Sequence, residues 1–381
     1  MPCPPEGRST GITTTHHRRR TFSRTAGIRA LGVCLCCWVA IGLTWSGEAL
    51  ARPQLIIVNT ASDRTGDAAS PANVARNMSF IESTGIDGVA LNTDAGWNLM
   101  QKGKLSYDQV RRELAPLQGK MRQVRTNFVL TYVMNVDPFD SWAGVIDNWV
   151  TLARASRDAG MTGFIFDNEP YNGEVWIYPR DVKHAAAYSL ADYQKQYRRR
   201  GKELMTALTQ VWPKLRFLVM HGPYLSDRRT PDHVVLDQGA VTDRDLSGFF
   251  FAGLLEAATG PAKVIDGGEV YQYRSRSDFA NSYRYRKHTM PALAGGPLIP
   301  ASLRPLWSSR SDIAFGVFDE QWIPEYPMNL DIFETTLTNA LRQADSYVWL
   351  YAERHNYLKA GGVGAKWLAA VKRAKVAANA S

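Results

Sequence analysis

Cysteine is scarce in this chain and poorly placed for structure. The 381 residues hold four, Cys3, Cys34, Cys36 and Cys37. All lie ahead of the cleavage site expected after Ala51, so the mature chain is expected to carry neither a disulfide framework nor a cysteine metal site. Histidine is thin as well. Five of the seven histidines lie beyond Ala51, and no H-x-H or H-E-x-x-H spacing occurs among them, which leaves no zinc signature. No metal and no cofactor is expected on that basis. No glycine-rich phosphate loop comes after the first strand-like run, which argues against a nucleotide-binding doubly wound sheet. Internal repeats finer than a β–α unit and low-complexity linkers are absent too, so one domain is the simplest reading.

Charge of one sign is modest once the N-terminus is set aside. The formal net charge is +9, but residues 1–51 contain six arginines and two acids, leaving 39 basic against 34 acidic residues, a net +5. The basic clusters "RDVK" (180–183), "KQYRRRGK" (195–202) and "RYRK" (284–287) belong to no nucleic-acid-binding module, so a nucleic-acid partner is not expected. The N-terminus itself reads as a targeting segment. Basic "RRRTFSR" (18–24), apolar "GIRALGVCLCCWVAIGLTW" (27–45) and small "ALA" (49–51) succeed one another in the order of a secretory signal. The twin arginine loosely suggests Tat export. The expected organisation is an N-terminal extension and signal peptide over 1–51 and a catalytic barrel over 52–381, periplasmic or secreted, with no stable membrane insertion after cleavage. An uncleaved anchor is the competing reading, because the apolar stretch is near spanning length.

What the chain has in quantity is alternation. Strand-like runs occur at 55–60, 88–92, 128–135, 163–169, 216–221, 263–271, 313–320 and 347–353, with amphipathic segments between them. Eight β–α units predict a single (β/α)8 barrel of parallel strands. The run "LSGFFFAGLLEAA" (246–258) fits either helix or strand, and its "AGLLEAA" tail predicts helix. A closing helix is expected from about 362 to 378.

Barrel chemistry sits where strands run out at their C-terminal ends. Here those ends carry Asn59 and Asp63, Asn92 and Asp94, Asn135 and Asp137, Asp167 and Glu169, His221, Asp266 and Glu269, Asp319 and Glu320, and Glu353. Rings accompany them, including Trp97, Tyr171, Trp176, Tyr271 and Trp322. Aromatic faces beside carboxylates and amides suit a sugar, whose C–H faces stack while its hydroxyls pair with the acids. A polysaccharide or oligosaccharide is therefore the expected partner.

The fourth run, "GFIFDNEP" (163–170), carries the clearest signal. Its Asn168-Glu169-Pro170 resembles retaining glycoside hydrolases of the (β/α)8 type, in which strand four ends in Asn-Glu, often Asn-Glu-Pro. The resemblance implies that Glu169 is the acid/base, that Asn168 binds sugar beside the cleaved bond, and that a nucleophilic Glu ends strand seven, here Glu320. The chain departs from that pattern in three ways. Asp319 competes with Glu320 in "FDEQW", strand six offers "DGGE", and strand eight ends in Glu353 where Trp is usual. The Asp167-x-Glu169 pattern is also similar to chitinase-like barrels, although the two upstream acids of that family are replaced by Ile165 and Thr162.

Glu320 and Glu353 rank equally as partner for Glu169, with Glu269 behind. Asp167, Asn168, Tyr171, Trp176, His221, Asp266, Tyr271, Asp319 and Trp322 form the expected substrate-binding set. Asp167 faces the same side as Glu169 and would raise its pKa by like-charge repulsion. The expected function is an exported glycosidase using two-carboxylate chemistry. The alternatives are a catalytically inactive carbohydrate-binding barrel and a metal-dependent hydrolase. The long basic segment 274–310 is the expected specificity wall.

Overall fold

The computed structural model describes residues 52–380, apart from 64–65, 101–102, 134–135, 171–174, 237–240 and 321–326. The expected signal segment and cleavage site, Asn135, Tyr171 and Trp322 lie outside the described residues. Nine strands form one parallel sheet: β1 (Gln54–Asn59), β2 (Gly88–Leu91), β3 (Phe128–Tyr132), β4 (Gly163–Asp167), β5 (Arg216–Val219), β6 (Lys263–Asp266), β7 (Ser311–Ile313), β8 (Phe315–Phe318) and β9 (Tyr347–Ala352). β7 pairs with β6 and β8 with β9, yet only Ala314 separates them in the chain. The two ends of the sheet are therefore two parts of one strand position, and the sheet closes into an eight-position α/β barrel. Continuous apolar runs fit such strands, because helices cover one face and the barrel interior the other.

The helices start and stop where local chemistry allows. Ser70 caps Pro71–Thr84 by accepting the Asn73 N–H, and Gly85 ends that helix at φ 89°. Ser189 and Asp192 form a reciprocal capping box on Leu190–Val211. The ambiguous run becomes the helix Ser247–Ala257, with every residue but Glu256 buried. Its periodicity was unreadable because a helix buried all round shows no polar face. It packs against Leu190–Val211, and a Cβ at Gly253 would stand 2.0 Å from the Arg198 carbonyl oxygen, so only glycine permits that approach.

Within β4, Phe164 and Phe166 pack edge-on against Trp149 of the outer helix Ala143–Asp158. Strand alternation then turns Ile165 and Asp167 toward the barrel interior.

Segment 274–310 differs from the expected basic wall at its centre, where Arg286 and Lys287 are buried, while Arg276 and Arg284 stay exposed. It forms the helices Arg276–Arg284, Tyr285–Thr289, Met290–Ala292 and Arg304–Arg310, leading back to the start of β7. Its central cations face inward to acids. Lys287 Nζ lies 2.8 Å from Asp345 Oδ2, and buried Arg286 holds Asp266. A charge buried on an internal partner is not offered to a polysaccharide. Among the described residues no helix is long and apolar enough to cross a membrane.

Candidate active site

Asp167 ends β4, and Glu169 comes next on the same face. Asn168 turns the other way: its Nδ2 donates to the His221 carbonyl at 3.1 Å, and its Oδ1 accepts the His221 N–H at 2.9 Å. That two-point clasp ties the end of β4 to the chain leaving β5. It sets the His221 ring beside Glu169, with Nε2 3.0 Å from Glu169 Oε1. The same nitrogen lies 3.4 Å from Glu269 Oε2.

Glu269 arrives from β6 by a glycine turn. Gly268 sits at φ 60°, and a Cβ on Gly267 would stand 2.6 Å from the Val219 carbonyl oxygen. The turn presses the chain against β5, where the Glu269 N–H donates to the Met220 carbonyl at 3.2 Å. Tyr271 fixes the carboxylate by donating its hydroxyl to Glu269 Oε1 at 2.7 Å. Exposure separates the two glutamates: the Glu169 side chain is 42% exposed and the Glu269 side chain 9%. One carboxylate oxygen of each, with the His221 ring nitrogen, lies within 4.8 Å of the other two.

Asp167 lies buried beside them and accepts the Glu169 N–H at 3.0 Å. Burial raises its pKa to about 8, helped by the negative charge of Glu269. Burial also raises Glu269, with Glu169 adding repulsion and His221 opposing both. For His221 burial acts downward, but Glu269, the bond to Glu169 and Asp167 together hold it up at about 9. At neutral pH the cluster thus stores protons on His221 and Asp167.

The Asp167 shift has a stability consequence with a definite sign. Its folded value near 8 exceeds the ordinary 3.8, so between those pH values the folded chain keeps a proton that the unfolded chain releases, and stability falls as pH rises. Asp167→Asn removes the titration. Its thermal midpoint relative to wild type is expected to climb from pH 5 to pH 8 in scanning calorimetry, and a pH-independent difference would refute the shift.

Rings border this cluster. Tyr271 and Tyr351 stack with centroids 5.9 Å apart and planes at 14°. Trp97 meets Tyr132 edge-on at 4.6 Å. The Tyr132 hydroxyl donates to Asn92 Oδ1 at 3.4 Å, and the Asn92 amide donates to Asp67. Asp67, Asn92, Asp94 and Trp97 line a cleft of about 560 Å³ beside them. A larger cleft, about 920 Å³, opens around Gln54, Asp87 and Asp345 near the strand starts and includes none of these acids. Neither cleft is lined by Glu169, His221 or Glu269, and only the smaller one lies at the strand ends, where barrel chemistry belongs.

The remaining expected residues divide. Asp319 and Glu320 meet His355, whose Nδ1 lies 2.7 Å from Asp319 Oδ2 and whose Nε2 lies 3.4 Å from Glu320 Oε1. Arg354 Nε is 3.7 Å from Glu320 Oε2. The hydrogen bond to Asp319 raises the His355 pKa against the effect of burial. Sequence reasoning missed His355, although "ERH" directly after the last strand was a readable signal. Glu353 lies at the rim and accepts the Tyr351 hydroxyl at 2.8 Å.

Three residues expected at substrate are engaged in the scaffold instead. Asn168 has both ends of its amide on the backbone of His221. Asp266 is fully buried against Arg286 at 2.8 Å. Trp176 is buried between Tyr197 and Phe250, with Nε1 donating to the Asn168 carbonyl at 2.7 Å. The partners that take these polar groups lie 53 residues away for Asn168, 20 for Asp266 and only 8 for Trp176.

No family model and no curated protein matches the chain. Among solved structures, a GH5-4 broad-specificity endoglucanase from Clostridium longisporum aligns with TM-score 0.49 and 10% identity, over 84% of this chain and 90% of that one. A glycoside hydrolase family 5 enzyme from Prevotella bryantii aligns with TM-score 0.42 and 10% identity, over 84% and 95%. A dihydrodipicolinate synthase from Agrobacterium tumefaciens aligns with TM-score 0.38 and 12% identity, over 86% and 77%. Likeness of this order assigns no activity. Function has to be argued from the site.

Proposed function

We propose that this chain is an exported O-glycosidase acting on a polysaccharide or oligosaccharide, with Glu169 as the proton donor and Glu269 as its partner carboxylate. One observation carries the reading: an exposed and a buried glutamate bring oxygens within 4.8 Å of each other on either side of His221. Oxygens that close favour the roughly 5–5.5 Å spacing of retaining carboxyl pairs over the roughly 6.5–9.5 Å of inverting ones. Glu269 therefore replaces Glu320 and Glu353 as the favoured partner, because Glu320 lies with His355 and Arg354 and Glu353 holds the Tyr351 hydroxyl at the rim.

The roles derive from exposure and hydrogen bonding. Glu169 is open to the mouth, where a leaving-group oxygen arrives, and protonates it. The His221 imidazolium beside it can load that proton onto Glu169 before the bond breaks. Glu269 is buried, and burial raises its pKa; the His221 charge and the Tyr271 hydroxyl act against that and favour the ionised form the nucleophile needs. It attacks the anomeric carbon as the glycosidic bond breaks. Glu169, now deprotonated, draws a proton from the water that releases the sugar. The paired rings of Tyr271 and Tyr351 offer apolar surface for a pyranose face.

Export is supported by the basic, apolar and small-residue order of residues 18–51.

The test is purified protein on a broad panel of polysaccharides and aryl glycosides, with released sugars read by mass spectrometry and anomeric outcome by NMR. Release with retention is expected. Inversion would return Glu320 to the pair. Binding with no release from any substrate would leave a carbohydrate-binding barrel and end the enzyme reading.

A further inference from the structure

His221 Nε2 faces two carboxylates but carries at most one proton. The shorter contact, 3.0 Å to Glu169 Oε1, has hydrogen-bond geometry. Glu269 Oε2, 3.4 Å away, is left with no hydrogen-bond partner among the described residues, although its side chain is more than nine-tenths buried. Rotation of the carboxylate would not help, because Tyr271 already holds Oε1 at 2.7 Å. A buried oxygen left this way is costly, since it has lost water and gained only the 3.4 Å charge contact with His221 in place of a hydrogen bond. A cation seated between the three atoms would satisfy Glu269 Oε2, Glu169 and the imidazole together.

The donor set says which cation. One imidazole nitrogen and two carboxylate oxygens, with the Glu169 side open to the mouth, make three protein ligands and an accessible further position. Zinc-type ions accept that combination. Calcium needs six to eight oxygens, and magnesium prefers oxygen ligands in near-ideal octahedral array. Ligand atoms 3.0 and 3.4 Å apart lie at the spacing expected around a centre roughly 2.0–2.2 Å from each. Tyr271 would serve as the outer partner that orients Glu269.

We propose that Glu169, His221 and Glu269 form a binding site for a divalent transition-metal ion of the zinc type, and that its occupancy excludes glycoside hydrolysis. The second clause rests on the glycosidase reading. The first does not. An ion there takes the Glu169 oxygen that must carry the proton and the Glu269 oxygen that must reach the anomeric carbon, so the two states compete for the same atoms.

Isothermal titration of zinc chloride into chelator-stripped full-length protein tests the site, with magnesium chloride as the control ion. One zinc per chain and no comparable magnesium binding are expected. His221→Gln and Glu269→Gln should each weaken zinc at least tenfold, with thermal midpoints showing that both fold. Glu320→Gln, in the other His–acid cluster, should leave it unchanged. No saturable zinc binding, or full binding by His221→Gln, overturns the proposal. With a substrate in hand, equimolar zinc should abolish release and a chelator restore it. Activity that requires zinc would overturn the exclusion, whereas zinc binding with no hydrolysis under any condition would retain the site and remove the glycosidase reading.

Discussion

Glu269→Gln is expected to lower turnover on the order of 10³- to 10⁴-fold, as Glu169→Gln does, while Glu320→Gln costs less than about tenfold. A 10³- to 10⁴-fold loss corresponds to about 4–5.5 kcal/mol of transition-state stabilisation. The amide replaces each carboxylate at nearly constant shape, so the Tyr271 contact and the buried packing should survive while the charge that meets the anomeric carbon is lost. Glu169 and Glu269 work as a unit, and the double variant should be little worse than either single one. Small anions give a second readout: azide should restore turnover to Glu269→Ala by occupying the vacated space as nucleophile. Steady-state kcat and kcat/KM on the released-sugar substrate decide the matter. A Glu320→Gln loss as large as that of Glu169→Gln, with Glu269→Gln within tenfold of wild type, would return the partner role to strand position seven.

Arg286→Met is expected to destabilise the chain by about 3–5 kcal/mol, measured as the shift in denaturant unfolding free energy. Arg286 and Asp266 are each about 1% exposed as side chains. Nε lies 2.9 Å from Asp266 Oδ2, and Nη2 lies 2.8 Å from Oδ1. Removing the cation leaves a carboxylate in the interior with nothing to balance it. Nη2 also donates to the carbonyls of Asp266 and Ala314, at 2.8 and 2.9 Å, where the closing strand is interrupted between β7 and β8. The guanidinium lies over the rings of Tyr224 and Phe315, so its flat faces are covered as well. Asp266→Asn combined with Arg286→Met should recover part of the loss, because the stranded charge goes with it. The effect should reach the site too: Glu269 lies three residues beyond Asp266, so a loosened end of β6 should lower kcat in protein that is still folded. A destabilisation below about 1 kcal/mol would mean that water or another group replaces the arginine.

The barrel was legible because burial on both faces forces strands to be short apolar runs, and eight of them stand between recognisable helix starts such as Ser70-Pro71 and Ser189. Glu169 was legible for a related reason: a strand that buries Phe164 and Phe166 against Trp149 must carry its next polar residues out to the mouth. The partner was not. Glu269 comes directly after a glycine at positive φ, which breaks the two-residue alternation from which side-chain direction is read, so its approach to His221 has no linear signature. Asn168 and Asp266 misled for another reason. A polar residue at a strand end looks the same whether it faces substrate or clasps a neighbouring element, and their partners lie 53 and 20 residues away.

Residue order alone therefore determines the parallel barrel, the capped helix starts such as Ser70-Pro71 and the wealth of acids and rings at the strand ends, since these arise from local propensity and periodic burial. Which acids meet was decided only by closure. Strand positions four, five and six become neighbours in the sheet, and that adjacency sets Glu169, His221 and Glu269 around one point. Strand positions seven and eight draw Asp319, Glu320 and His355 into a separate cluster. Contact between side chains a hundred residues apart depends on the order of strands around the barrel and the direction of each turn, and neither is encoded in any short stretch of chain.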